Sequence, residues 1–152
     1  MNKYAETAMN YFSEGYNCSQ AVFLTFADQC GLDKETALKI SSSFGGGMGR
    51  LREVCGAVSG MFMTAGLLYG YTDPEDYEAK KEHYRFLQEL ASEFKKKNHS
   101  IICRELLGLE SSDNYVPEKR TNEYYKKRPC KELVGDAAEI MGNYIESRKQ
   151  KL

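Results

Sequence analysis

Between Val54 and Tyr71 the chain runs for 18 residues without a charged side chain. A stretch of that length is enough to span a bilayer as a helix. Its content argues against a span: Gly56, Ser59, Gly60, Thr64, Gly66 and Gly70 dilute its hydropathy, and no aromatic belt or polybasic loop flanks it. The glycines recur four apart, as Gly56/Gly60 and Gly66/Gly70. That spacing lets helix backbones approach closely. In water, an uncharged helix is stable only when other helices surround it. Residues 52–70 therefore read as the buried, small-residue-rich central helix of a bundle.

The rest of the chain supplies the surround. Tyr4, Ala8, Tyr11 and Phe12 share one face of a helix over 3–14, with Gly15 as its stop. A more apolar helix over 18–30 is opened by Asn17 and closed by Gly31, and Asp33 caps another over 34–43. Thr72-Asp73-Pro74-Glu75 starts a charged helix over 75–97 that ends in Lys95, Lys96 and Lys97, the sign the helix dipole favours there. Shorter patterns predict helices over 100–108 and 130–149, with a polar loop over 109–128. Almost nothing alternates with period two, so the chain reads as an all-α, single-domain helical bundle over residues 1–152. Lys plus Arg, 21, nearly balances Asp plus Glu, 22, so no global field points to nucleic acid or an anionic membrane. The start, MNKYAETAMNYF, lacks the apolar core of a signal peptide, and a cytoplasmic protein is expected.

Five cysteines, at positions 18, 30, 55, 103 and 130, include no CxxC pair. That removes the zinc-ribbon and thioredoxin signatures, so any joint chemistry requires the fold to bring distant thiols together. On the predicted helices, Cys18, Cys55, Cys103 and Cys130 all fall at N-termini, while Cys30 falls at a C-terminus before Gly31. A helix N-terminus offers unpaired N–H groups and partial positive charge, which favour the thiolate that attacks disulfides and binds metals. Arg50, Arg52, Arg104 and Arg128 lie within five residues of Cys55, Cys103 or Cys130 and strengthen that expectation. Buried cysteine is also a small hydrophobe, and the packing reading stands beside the chemical one.

The segment FGGGMGR, residues 44–50, is not a phosphate loop: helix rather than strand precedes it, and Met48-Gly49-Arg50 ends it where a P-loop needs Gly-Lys-Ser/Thr. It reads either as a turn needing positive φ or as bare backbone facing an anionic site beside Cys55. Of the two histidines, His83 reads as surface and His99, four residues before Cys103, as a spare ligand or surface. The short basic runs at 95–97 and 126–128 read as a solvated helix end and a loop.

GYNCSQAV at 15–22, FGGGMGR at 44–50, CGAVSG at 55–60, a lone Cys103 and a late Cys130 together resemble the redox family named for the pattern C_GCAxxG_C_C. The resemblance covers Tyr11 to about Val134, and it carries the family's four cysteines onto Cys18, Cys55, Cys103 and Cys130, leaving Cys30 outside. It implies redox activity without an assigned reaction, a frequent association with transporter genes, and, from similar domains beside haem or iron–sulfur carriers, a cluster.

Two chemistries are expected on these residues. In the first, Cys18, Cys55, Cys103 and Cys130 bind an iron–sulfur cluster or zinc for electron transfer, with N–H groups of Gly45, Gly46, Gly47, Gly49 and Gly56 directed at cluster sulfurs. In the second, no metal is involved: Cys55 attacks as thiolate and Cys18 resolves, with Cys103 and Cys130 as a second couple. A helical interaction protein with structural cysteines is the third reading. The expected partner is an unidentified redox protein, with no nucleic acid and no membrane span, and homo-oligomerisation is left open.

Overall fold

A computed structural model describes residues 1–109 and 113–150. The chain is all-α, and the only β pairing among the described residues is a single antiparallel bridge between Val54 and Ile102. Helix α1, Lys3–Ser13, is capped by the Asn2 side chain, which accepts from the Ala5 N–H at 3.0 Å, and buries Tyr4, Ala8 and Phe12 along one face. Helix α2, Cys18–Ala27, opens with a reciprocal capping box between Asn17 and Gln20 and runs into a 3₁₀ turn at Asp28–Cys30. Asp33 caps α3, Lys34–Ser42. A single turn, α4, follows at Gly45–Met48. The central helix is α5, Gly56–Tyr69, and α6 follows at Tyr77–Asn98. Two short helices, α7 at Cys103–Leu107 and α8 at Asn122–Lys127, precede the long α9, Cys130–Gln150.

The core lies where α2, α5 and α9 meet, with α1 laid along α9 and α6 closing the α5–α9 side. Phe12, Phe26, Val58, Met61, Phe94 and Met141 fill it and are almost wholly inaccessible. The spacing of Gly56 and Gly60 is used as expected. A Cβ on Gly60 would stand 2.8 Å from the Ser19 carbonyl oxygen, so the two glycines are the groove into which α2 settles. The second pair is not used that way: Gly66 faces open space, and Gly70 lies beyond the helix end. No helix among the described residues is long and apolar enough to cross a membrane.

Several element boundaries differ from expectation, and the short helix expected over 100–108 is confined to Cys103–Leu107. The central helix begins at Gly56 rather than at 52, because Arg52 has a left-handed φ of 61° and residues 52–55 pair with 101–104 instead. The charged helix begins at Tyr77, where the Asp76 side chain accepts from the Ala79 N–H, while Asp73 and Pro74 form the turn before it. Within the expected loop over 109–128, Thr121 caps the short helix α8. Residues 110–112 of that loop lie outside the described residues.

Candidate functional site

Four separate local structures aim sulfur at one place. Cys18 is the first residue of α2, behind its Asn17 cap. Cys103 is the first residue of α7 and Cys130 the first of α9. Cys55 sits one step earlier, as the N-cap of α5. The bridge between residues 54 and 102 ties two of these starts together: the Cys55 N–H donates to the Ile101 carbonyl at 2.8 Å and the Cys103 N–H to the Glu53 carbonyl at 2.5 Å. All four cysteines line one cavity of about 220 Å³. Cys30, half-buried at the far end of α2, does not reach it, and no disulfide links any of the five. Neither histidine lines it either: His83 packs edge-on against Tyr71 and Phe86, and His99 caps the end of α6 with a φ of 71°.

The glycines make room for the sulfurs. From Gly46 through Arg50 five consecutive residues have φ between 63° and 70°, so the backbone makes one left-handed helical turn. Only glycine enters this region without a steric cost, yet Met48 and Arg50 enter it too, and Arg52 follows. The turn presses Gly47 against Cys103, where an added Cβ would stand 2.6 Å from the cysteine Cβ. Gly56 backs Cys18 in the same way at 3.1 Å, and Gly45 lies under the Asn17 side chain. Gly45, Gly46, Gly47 and Gly56 line the cavity, whereas Gly49 does not: it ends the turn, donating its N–H to the Gly45 carbonyl at 3.0 Å.

The thiols differ sharply in acidity, and a helix start is not what separates them. Cys130 is lowered to about 7, chiefly because the Cys18 S–H donates to its sulfur, with the charges of Arg128, Arg52 and Arg120 adding to the effect. Cys18 is pushed well up by the same contact, which needs its proton, and by burial. Burial drives Cys55 up to about 12, although its sulfur faces the N–H groups of Ala57 and Val58. Cys103 is also raised by burial, against an Arg52 Nη1 contact to its sulfur at 3.6 Å. Against the expectation that all four helix starts favour the thiolate, Cys130 alone is lowered, while Cys18, Cys55 and Cys103 are raised. Among the described residues no three His, Cys, Asp or Glu side chains form a group able to hold a metal ion.

Arginine surrounds the sulfurs. Arg50, Arg52 and Arg128 line the cavity as their sequence positions suggested, but Arg104 turns away to Glu53 at 3.1 Å. Sequence reasoning missed Arg120, which donates to the Phe12 and Tyr16 carbonyl oxygens and lies 4.0 Å from the centroid of the Phe12 ring. It also missed Asp113, which pairs with Arg50 at 2.8 Å and Arg52 at 3.1 Å, and Glu118, which holds Arg128 at 2.7 Å. No local signal marks Arg120, because its partners lie over 100 positions away in the chain.

No curated protein and no solved structure matches this chain. A family sequence model does, over residues 16–144, and its description reads "Putative redox-active protein (C_GCAxxG_C_C)". That match takes in all four cavity cysteines and the left-handed glycine turn, and the chain belongs to the C_GCAxxG_C_C family.

Proposed function

We propose that the protein is a thiol–disulfide redox protein in which Cys130 is the attacking thiolate and Cys18 the resolving thiol. The observation that carries this reading is that Cys18 and Cys130 open α2 and α9 on the wall of one cavity, an arrangement in which hydrogen bonding between the two thiols lowers Cys130 and raises Cys18. Such a pair suits exchange, because the attacking thiol works best with a pKa near ambient pH and the second thiol is already in reach. Cys130 sulfur attacks a substrate disulfide, whose S–S bond breaks and releases one thiolate. Cys18 sulfur then displaces the second, and its proton leaves with the product thiols. One substrate disulfide becomes one thiol and one thiolate, which takes its proton from water, while two cysteines become one disulfide. Cys55 and Cys103, buried and raised, are walls of the site in this reading.

A second reading, a metal or iron–sulfur centre held by Cys18, Cys55, Cys103 and Cys130, is favoured by the convergence of all four sulfurs on one cavity. The donors suit such a centre in kind, and the arginines would offset its negative charge. Their spacing does not suit a single ion, since among the described residues no three ligating side chains stand together. When bound, a cluster would supply one-electron transfer.

One experiment separates the readings. Protein produced with iron and sulfide and purified without oxygen is assayed for metal, then treated with excess hydroxyethyl disulfide and mapped by mass spectrometry. The exchange reading expects a metal-free protein that gains a Cys18–Cys130 disulfide. Stoichiometric iron with sulfur-to-iron absorption, lost in Cys55→Ser, would sink it in favour of the cluster.

A further inference from the structure

Sulfur is only half of the chemistry in the cavity. Four guanidinium groups, those of Arg50, Arg52, Arg120 and Arg128, line it beside one carboxylate, Glu118. Asp113 answers Arg50 and Arg52, and Glu118 answers Arg128. Arg120 has no carboxylate partner among the described residues. It is nevertheless held still, stacked on Phe12 and bonded to two main-chain carbonyls, which leaves part of its five-donor fork free. Arg52 supplies an independent sign. Its side chain is buried, 5% exposed, with one Nη on Cys103 and the other on Asp113, while its Nε has no partner among the described residues. A buried donor on a charged group is costly when unpaired, and a bound acceptor removes that cost.

We propose that the cavity recognises a low-molecular-weight disulfide bearing carboxylates, whose negative charge is held by Arg120 and Arg52 beside the Cys18–Cys130 pair. The inference rests on the exchange reading and names its substrate class. Size selects against a protein substrate: the cavity holds about 220 Å³, and Cys55, Cys103 and Cys130 are 4%, 7% and 9% exposed, beyond the reach of a disulfide on a folded surface. Charge selects the anion, since four fixed cations face two carboxylates. The step conserves atoms and electrons. The substrate S–S bond is replaced by the Cys18–Cys130 bond, two electrons pass to the substrate sulfurs, the Cys18 proton goes with one carboxylate-bearing thiol, and the other leaves as a thiolate that takes its proton from water.

The test uses two electrophiles that differ in charge and share one leaving group. Reduced protein is alkylated with iodoacetate and with iodoacetamide at alkaline pH, where the Cys130 thiolate is fully formed, and each rate is divided by that of dithiothreitol. Iodoacetate is expected to react at Cys130 with a normalised preference of about tenfold, within the range that focused charge gives to anion encounter. Arg120→Gln should abolish the preference, read as the ratio of the iodoacetate to the iodoacetamide rate, and Arg120→Lys should keep it. No preference in the unmodified protein overturns the proposal whether or not it exchanges disulfides. In parallel, dithiodipropionate and the neutral hydroxyethyl disulfide are offered as substrates. Equal normalised rates leave exchange standing and overturn anion recognition, and reduction of neither overturns the exchange reading together with its substrate.

Discussion

Cys130 and Cys55 both stand at helix starts, and only Cys130 is acidic. A helix dipole contributes about 0.3–1 kcal/mol to a charge at its end, which is less than one pKa unit at 1.36 kcal/mol per unit. Full burial can move a pKa by several units the other way. Acidity is therefore decided by neighbours that the fold brings in: a thiol donor from α2 and guanidiniums from three loops. The positions of the cysteines were legible, because Asn17 and Pro129 are local signals. The acidities were not, because burial and Arg120 are long-range. Alkylation of Cys130 by iodoacetamide, followed by peptide mapping across pH, should show a midpoint near the lowered value of about 7, with the rate falling below it as the thiolate takes up its proton. Arg128→Gln removes one stabilising charge and should raise that midpoint. An unchanged midpoint would show that the guanidinium plays no part.

At the scale of elements, the left-handed turn at Gly46–Arg50 carries the site. FGGGMG announces a turn to any reader of the sequence, but neither its hand nor the inclusion of Met48, Arg50 and Arg52 can be read there. The hand follows from what the turn packs against: Gly46 and Gly47 accept from the N–H groups of Arg52 and Glu53, and Gly47 lies flush on Cys103. The same contacts displaced the start of the central helix. Gly47→Ala should cost about 2–4 kcal/mol, from the left-handed penalty together with overpacking. Gly66→Ala, with open space around its Cβ inside α5, should instead gain about 0.5–1 kcal/mol. Urea unfolding of the two variants checks both signs, and equal effects would contradict this account of the glycines.

For the whole molecule, helix types and most boundaries followed from caps and periodicity, since α1, α2, α3, α6 and α9 each carry their own signals. The short helix α8 and the carboxylates Asp113 and Glu118 escaped notice, because Asp113 gains its order from the distant Arg50 and Arg52, and Glu118 from Arg128 at the far end of α8. The proposed bond between Cys18 and Cys130 would close a loop between residues 112 positions apart. In the chain-entropy description a loop of that size adds about 4–5 kcal/mol to stability, less any strain in the native bond. The oxidised protein should therefore unfold at distinctly higher denaturant than the reduced one, and Cys130→Ser should show no such difference. Equal midpoints for oxidised and reduced protein would mean that the two sulfurs do not join.

In the proposed exchange, the placing of Cys18 and Cys130 on one cavity would also set how hard the molecule holds its electrons. Two thiols kept within reach by packed helices meet at an effective concentration far above that of free thiols in solution. Each tenfold gain in that quantity lowers the potential of a two-electron couple by about 30 mV. On that proposal, firmness of the bundle would be converted into redox poise. Residues that only hold α9 in place, such as Gly142 against the Tyr4 ring, become tuning elements for a reaction they never touch.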